Sequence, residues 1–197
     1  MSSHQPRWIL SGGLASGKSQ VRRLLERHGM HTIDADAIGH EVLRSTGTAF
    51  AGVARRWPQV IEAGEVDRAA LAAIVFNDAE ELTALEAITH PHIFDSIASR
   101  VEGYDGPVIV EMPVLSHGLG PDWRRVVVDC ADDTRLRRAI DRGMSESDAR
   151  ARMASQPSRA AWLAVADLVI PNHGSQHELV ESMSKVVERL SLRATRQ

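Results

Sequence analysis

The sequence predicts an α/β fold in three layers: a five-stranded parallel sheet covered by helices on both faces, with a helical lobe inserted between two strands and a helical lid before the last. Three observations predict it. Five short apolar runs, at 8–10, 32–35, 108–112, 126–130 and 168–171, alternate with stretches of helical spacing. Several of these runs are rich in Val and Ile and nearly continuous, as strands buried on both faces should be. The interval between the second and third runs is far longer than one crossover helix needs, and residues 41–100 within it are helical in pattern.

The first strand candidate runs into GGLASGKS at residues 12–19, which fits G-x-x-x-x-G-K-[ST]. Glycines let such a loop turn so that successive N–H groups face phosphate oxygens, and the positive end of the next helix faces the same anion. Val21, Leu24 and Leu25 supply helical spacing up to Gly29, so the loop has the strand–loop–helix context that the motif requires. The expected nucleotide contacts run through Gly13, Ala15, Ser16, Gly17, Lys18, Ser19 and Gln20. Lys18 is placed to reach the β- and γ-phosphates, and the Ser19 hydroxyl to ligate Mg²⁺.

Bulk properties set limits. The chain has 197 residues, 43% of them hydrophobic, enough to bury a core without covalent staples. A net charge of −3 provides no basic footprint for nucleic acid. A single cysteine, Cys130, excludes an intramolecular disulfide and fits a reducing compartment; in its apolar strand it reads as packing. The opening MSSHQPRW has no apolar signal core, and no apolar run approaches a membrane span, so a cytoplasmic protein without a membrane partner is expected. A monomer is the expected state, with an oligomer as the alternative. The inserted lobe is placed at about 41–100 and the lid at about 132–157.

In parallel sheets of this kind the carboxyl ends of the strands hold the ligand. Asp34-Ala35-Asp36 reads as the end of the second strand, where alternation sends both carboxylates the same way. One of them could meet an acceptor hydroxyl or the metal; the alternative is a cap on a following helix at 37–43. Asp36-Ala37-Ile38-Gly39 also fits D-x-x-G, but no N-K-x-D accompanies it, so that match is set aside. Glu111 follows Val108-Ile109-Val110, at the metal-side acidic position; the alternative is a solvated strand-end carboxylate. Residues 134–152, TRLRRAIDRGMSESDARAR, hold six arginines against three acids, a positive patch suited to a lid over phosphates. Asn172, just past the last run, could reach a base or serve as a turn residue. The nine histidines, His90 and His92 included, lack zinc-ligand spacing, and the four tryptophans read as packing.

Taken together these residues resemble the dephospho-CoA kinase family, from Ile9 to about Gly174. The P-loop alone is shared by many enzymes. Added to it are Asp34-Ala35-Asp36, Asp67-Arg68, Leu71, Phe76, His90-Pro91 with Ile93, Pro113-Val114-Leu115, Arg152 with Gln156, and the closing run Ala166 to Gly174 around Asn172. The resemblance implies a P-loop kinase-like fold and transfer of the γ-phosphate of ATP to the ribose 3′-hydroxyl of dephospho-CoA, with Mg²⁺. It implies that Asp36 is the base, that Lys18 and lid arginines such as Arg138, Arg142 and Arg152 hold phosphates, and that Ser19 holds the metal with Glu111 acting through water. The acceptor would lie against Asp34, Asp36, His90 and Pro113. Three positions depart from the family: Ala15 replaces a loop glycine, which is tolerable at negative φ and costly otherwise; Gln20 replaces Thr; and His117 stands where Glu is common. A kinase for a sugar acid or a nucleoside monophosphate is the same-class rival, and a nucleotide switch without transfer activity is the rival from another class.

Overall fold

The computed structural model describes residues 5–112, 119–120 and 122–191. Two compact units divide the chain: residues 1–34 with 104–197, and residues 35–103.

The first unit is built on strands β1 (Arg7–Ser11) and β2 (His31–Asp34), joined later in the chain by three more. Between β1 and β2 lies helix α1 (Lys18–Arg27). The second unit contains α2 (Ala35–Val42), α3 (Phe50–Arg56), a two-stranded hairpin of β3 (Ile61–Glu62) and β4 (Glu65–Val66), α4 (Arg68–Val75) and the long α5 (Ala79–Glu102). The first unit resumes with β5 (Val108–Glu111), β6 (Trp123–Asp129), α6 (Asp132–Asp141), α7 (Glu146–Ala154), α8 (Arg159–Ala164), β7 (Leu168–Pro171) and α9 (Gln176–Ser191). The five strands of the first unit form one parallel sheet in the order β2-β5-β1-β6-β7.

Burial explains the near-continuous apolar strands. All four residues of β5 are buried, and β6 is buried from Arg125 onward. On one face, Trp8, Leu10, Ile109, Val126 and Val128 pack with Val21, Leu24 and Leu25 of α1 and with Leu179, Met183, Val186 and Leu190 of α9. The α1 residues at i, i+3 and i+4 form the buried stripe that their spacing predicts. The indole of Trp8 donates to Leu190 O at 2.9 Å, tying the central strand to the last described turn of α9. On the other face α8 packs against β6. Register brings the strand ends together: Asp34 pairs with Glu111, and Glu111 with Leu10.

Capping fixes several helix starts. Asp67, Asp78, Ser145 and Ser158 accept from first-turn N–H groups of α4, α5, α7 and α8. In the second unit Val53, Trp57, Val60, Leu71 and Val75 make a small core of their own. Trp57 donates to Glu81 at 2.8 Å. Pro91 sits inside α5 rather than ending it.

One sequence reading is corrected here. The second strand stops at Asp34, and α2 starts at Ala35, so Asp36 lies in a helical first turn. Strand alternation therefore does not relate the two carboxylates. The hairpin at 61–66 also went unread, because two-residue strands carry no periodic signal.

Leu25 is fully buried in the core shared by α1, α9 and the sheet. Leu25→Ala is expected to remove about 3 kcal/mol of stability, read as a lower urea midpoint with an unchanged slope.

Candidate active site

The glycine-rich loop joins β1 to α1, and its shape needs two left-handed or near-left-handed glycines. Gly12 has φ +145°, and a Cβ there would stand 2.7 Å from the Val128 carbonyl. Gly17 has φ +103°, with the Asn172 amide against it. No side chain caps the first turn of α1. The helix therefore presents its positive end outward, as an anion site requires. Lys18 Nζ donates to the carbonyls of Gly12 at 2.8 Å and Gly13 at 3.3 Å.

Three side chains from distant segments hold the loop's backbone from behind. Gln156 accepts from Leu14 N at 2.7 Å. Arg135, only 4% exposed, lies over Gly13 and donates through Nε to Leu14 O at 2.8 Å. Asn172, also buried, donates to Ser16 O at 2.7 Å. Its amide is thus committed to the loop, which differs from the base contact considered from sequence. Ala15 takes φ +55°, the costly case for its extra methyl. That methyl is buried with Ala139 and Ala149 of α6 and α7.

Beside the loop stands a charged network. Ser19 Oγ donates to Glu111 Oε1 at 3.1 Å. The other carboxylate oxygen accepts from Arg22 Nε at 2.7 Å. Arg22 also reaches Asp34 at 3.5 Å and Glu26 at 2.7 Å. Burial alone would lower the Arg22 pKa; the hydrogen bond and charge of Glu111, with Glu26 and Asp34, outweigh it and hold the pKa above its ordinary value. A hydroxyl and a carboxylate at a helix N-terminus are hard oxygen donors of the kind Mg²⁺ takes alongside phosphates and water. The described residues hold no cluster of three or more His, Cys, Asp or Glu fit for a metal, so any cation here would draw most of its ligands from elsewhere.

A cavity of about 460 Å³ opens over α1, lined by Lys18, Ser19, Gln20, Arg142 and Gln176. Arg23 and Arg27 line it too, so among the described residues four cations face it and no acid does. The arginines that the sequence assigns to a lid divide. Arg142 and Arg152 are exposed. Arg138 instead donates to the carbonyls of Asn172 and Gly174, both at 3.2 Å, bracing the turn after β7. Arg150 pairs with Glu146. Asp36 is exposed in α2. His90 sits in α5 with its ring 5.5 Å from that of Phe94. Pro113, Val114, Leu115 and His117 lie outside the described residues.

A family model described as dephospho-CoA kinase matches residues 8–178. The chain belongs to the dephospho-CoA kinase family. A dephospho-CoA kinase of Streptomyces avermitilis is 40% identical over 193 residues, covering 94% of each chain. Among solved structures, TT1252 from Thermus thermophilus is 29% identical with a TM-score of 0.83, covering 96% of this chain and 100% of that one. The dephospho-CoA kinase from Campylobacter jejuni is 25% identical with a TM-score of 0.71, covering 95% of this chain and 98% of its own. The P-loop kinase-like fold is common to them. Among the described residues, no helix is long and apolar enough to cross a membrane.

Within this family member, several site residues escaped the sequence reading. Arg22, Arg23 and Arg27 carry no motif that singles them out, and only the i+3 step from Ser19 to Arg22 hints at a shared direction. Asp129, at the end of β6, also went unread. Arg159 grips it with two hydrogen bonds, at 2.7 and 2.8 Å, and His173 lies 3.2 Å away. The Arg159 hydrogen bonds come first in holding the Asp129 carboxyl below its ordinary range. Burial pushes the neighbouring Cys130 thiol up, which agrees with a packing role.

Two predictions follow from this geometry. At Ala15, left-handed strain of about 1–2 kcal/mol is offset by about 0.8 kcal/mol of methyl burial and by the roughly 0.5–1 kcal/mol of chain entropy that glycine would add to the unfolded state. Ala15→Gly is thus expected to change stability by under about 0.5 kcal/mol, and β-branched Ala15→Val to lose about 2 kcal/mol or more, by thermal unfolding. Because the folded Asp129 pKa is depressed, its contribution is full above about pH 4 and is lost as pH falls through the folded value. Asp129→Asn should lose about 2 kcal/mol at pH 7 and flatten the stability curve between about pH 5 and 2.

Proposed function

We propose that the chain transfers the γ-phosphate of ATP to the ribose 3′-hydroxyl of dephospho-CoA, giving CoA and ADP. Family membership names the acceptor. The observation that carries the chemistry is the uncapped P-loop helix with its Ser19–Glu111 oxygen pair, opening into a cavity lined by four cations.

The residues then take roles. Loop and first-turn N–H groups other than those of Leu14 and Ser16, which Gln156 and the Gly13 carbonyl engage, bind the β- and γ-phosphates with Lys18, and Gln20 follows along the polyphosphate. Ser19, with Glu111 through a water, would hold Mg²⁺. When bound, that ion would supply positive charge against the phosphate oxygens. Arg142, unpartnered among the described residues at the cavity, and Arg152 supply lid charge for the transition state. Asp36 takes the proton of the 3′-hydroxyl as its oxygen bonds to the γ-phosphorus, and the bond to the bridging oxygen breaks to release ADP. Asp36 acts from the first turn of α2. The compact unit at 35–103 binds the acceptor, with His90, and has its own cavity of about 330 Å³ between α2 and α5, lined in part by Glu41, His92 and Asp95. By the family resemblance, Asp34 and Pro113 are assigned acceptor contacts as well.

The test is ADP release with ATP and Mg²⁺ against dephospho-CoA, adenosine, AMP, gluconate, shikimate and no acceptor. Rapid turnover with dephospho-CoA alone is expected. Turnover with another acceptor would keep a P-loop kinase and discard this substrate, and slow release indifferent to all acceptors would favour a nucleotide switch. Asp36→Asn should lower kcat at least about 100-fold with ATP affinity nearly unchanged. Wild-type turnover in that variant would remove Asp36 from the role of base.

A further inference from the structure

Arg22 is surrounded by acids from three elements. Glu26 lies one turn on in α1, Asp34 ends β2 and Glu111 ends β5. Thr32 of β2 donates to the same Glu26 oxygen that Arg22 engages. Asp34 and Glu111 are register partners on adjacent strands, where two like charges repel. One guanidinium thus stands amid three carboxylates. The contact with Glu111 is directional. Arg22 Nε fixes Oε2, which leaves Oε1 turned to the Ser19 hydroxyl. The Glu111 side chain is 10% exposed, so the bond acts with little screening by water.

We propose that Arg22 is a positioning residue for phosphoryl transfer: it locks the Glu111 carboxylate so that one oxygen joins the Ser19 hydroxyl in receiving a divalent cation with the nucleotide. This rests on the kinase reading only through the Mg²⁺–ATP step, and no acceptor enters it. A merely structural Arg22 would affect folding and all ligands alike. A positioning Arg22 affects the metal dependence of nucleotide binding and acts through Glu111.

The experiment titrates Mg²⁺ into wild type, Arg22→Gln, Arg22→Lys, Glu111→Gln and the Arg22→Gln/Glu111→Gln double variant, with ATP present and acceptor absent, reading ATP binding by calorimetry. Each protein is repeated in EDTA. Expected is a rise of roughly tenfold in the half-saturating Mg²⁺ for Arg22→Gln, with ATP affinity in EDTA within about twofold of wild type. Glu111→Gln should show a similar rise, and the double variant little more than either. Arg22→Lys, which keeps the charge but not the fork, should fall between, and it serves as the test if Arg22→Gln does not fold. An unchanged Mg²⁺ requirement in whichever variant folds, an equal loss in EDTA, or additive single effects would each overturn the proposal. Failure to turn over dephospho-CoA in the same preparation would instead count against the proposed reaction, since these readouts contain no acceptor.

Discussion

A loop that points its N–H groups at a polyanion must turn carbonyl groups the other way, and buried carbonyls need donors. That constraint organises the first unit. Arg135 and Asn172 provide donors to Leu14 and Ser16, and Gln156 takes the one Leu14 N–H that faces inward. Asp132 and Gln156 in turn engage Arg135, and Arg138 fastens the turn that carries Asn172. The cradle is rigid because its rear surface is bonded, and that leaves its front surface for a ligand.

Charge follows the same division. Arginines that face inward serve backbone carbonyls or strand-end carboxylates, as Arg135, Arg138 and Arg22 do, and exposed Arg159 does the same for Asp129. Those that face the cavity, Arg23, Arg27 and Arg142, stand in solvent beside Lys18. A net charge of −3 thus conceals a cavity with positive walls, beside which Ser19 reaches the Glu111 carboxylate that Arg22 holds. Such a layout suits a triphosphate carrying a divalent cation, whose two charges need opposite surroundings a few ångströms apart.

The sequence showed the layers and the cradle clearly, because both rest on short-range rules. The strands of the parallel sheet fall within a few residues of the five apolar runs, and G-x-x-x-x-G-K-[ST] carries its own geometry. What stayed hidden depends on partners far away in the chain. Arg22 and Glu111 are 89 residues apart, and nothing near Arg22 distinguishes it from Arg23. The same arginine-rich stretch contained Arg135, which turned inward, and Arg142, which did not, because helix phase relative to the loop decides between them. Asp36 was misplaced by two residues of strand length, enough to turn a strand-alternation argument into a helical one. Ala15 was legible only as a question, since φ is not written in composition.

The rear bracing also sets a schedule. Ser16 and the amide that holds its carbonyl are 156 residues apart. At about 5–20 residues per second, a ribosome makes the loop roughly 10–30 s before it makes Asn172. Throughout that interval the growing chain carries its phosphate motif without the means to shape it. The cradle as it stands in the folded chain is therefore complete only once the last strand has joined the sheet.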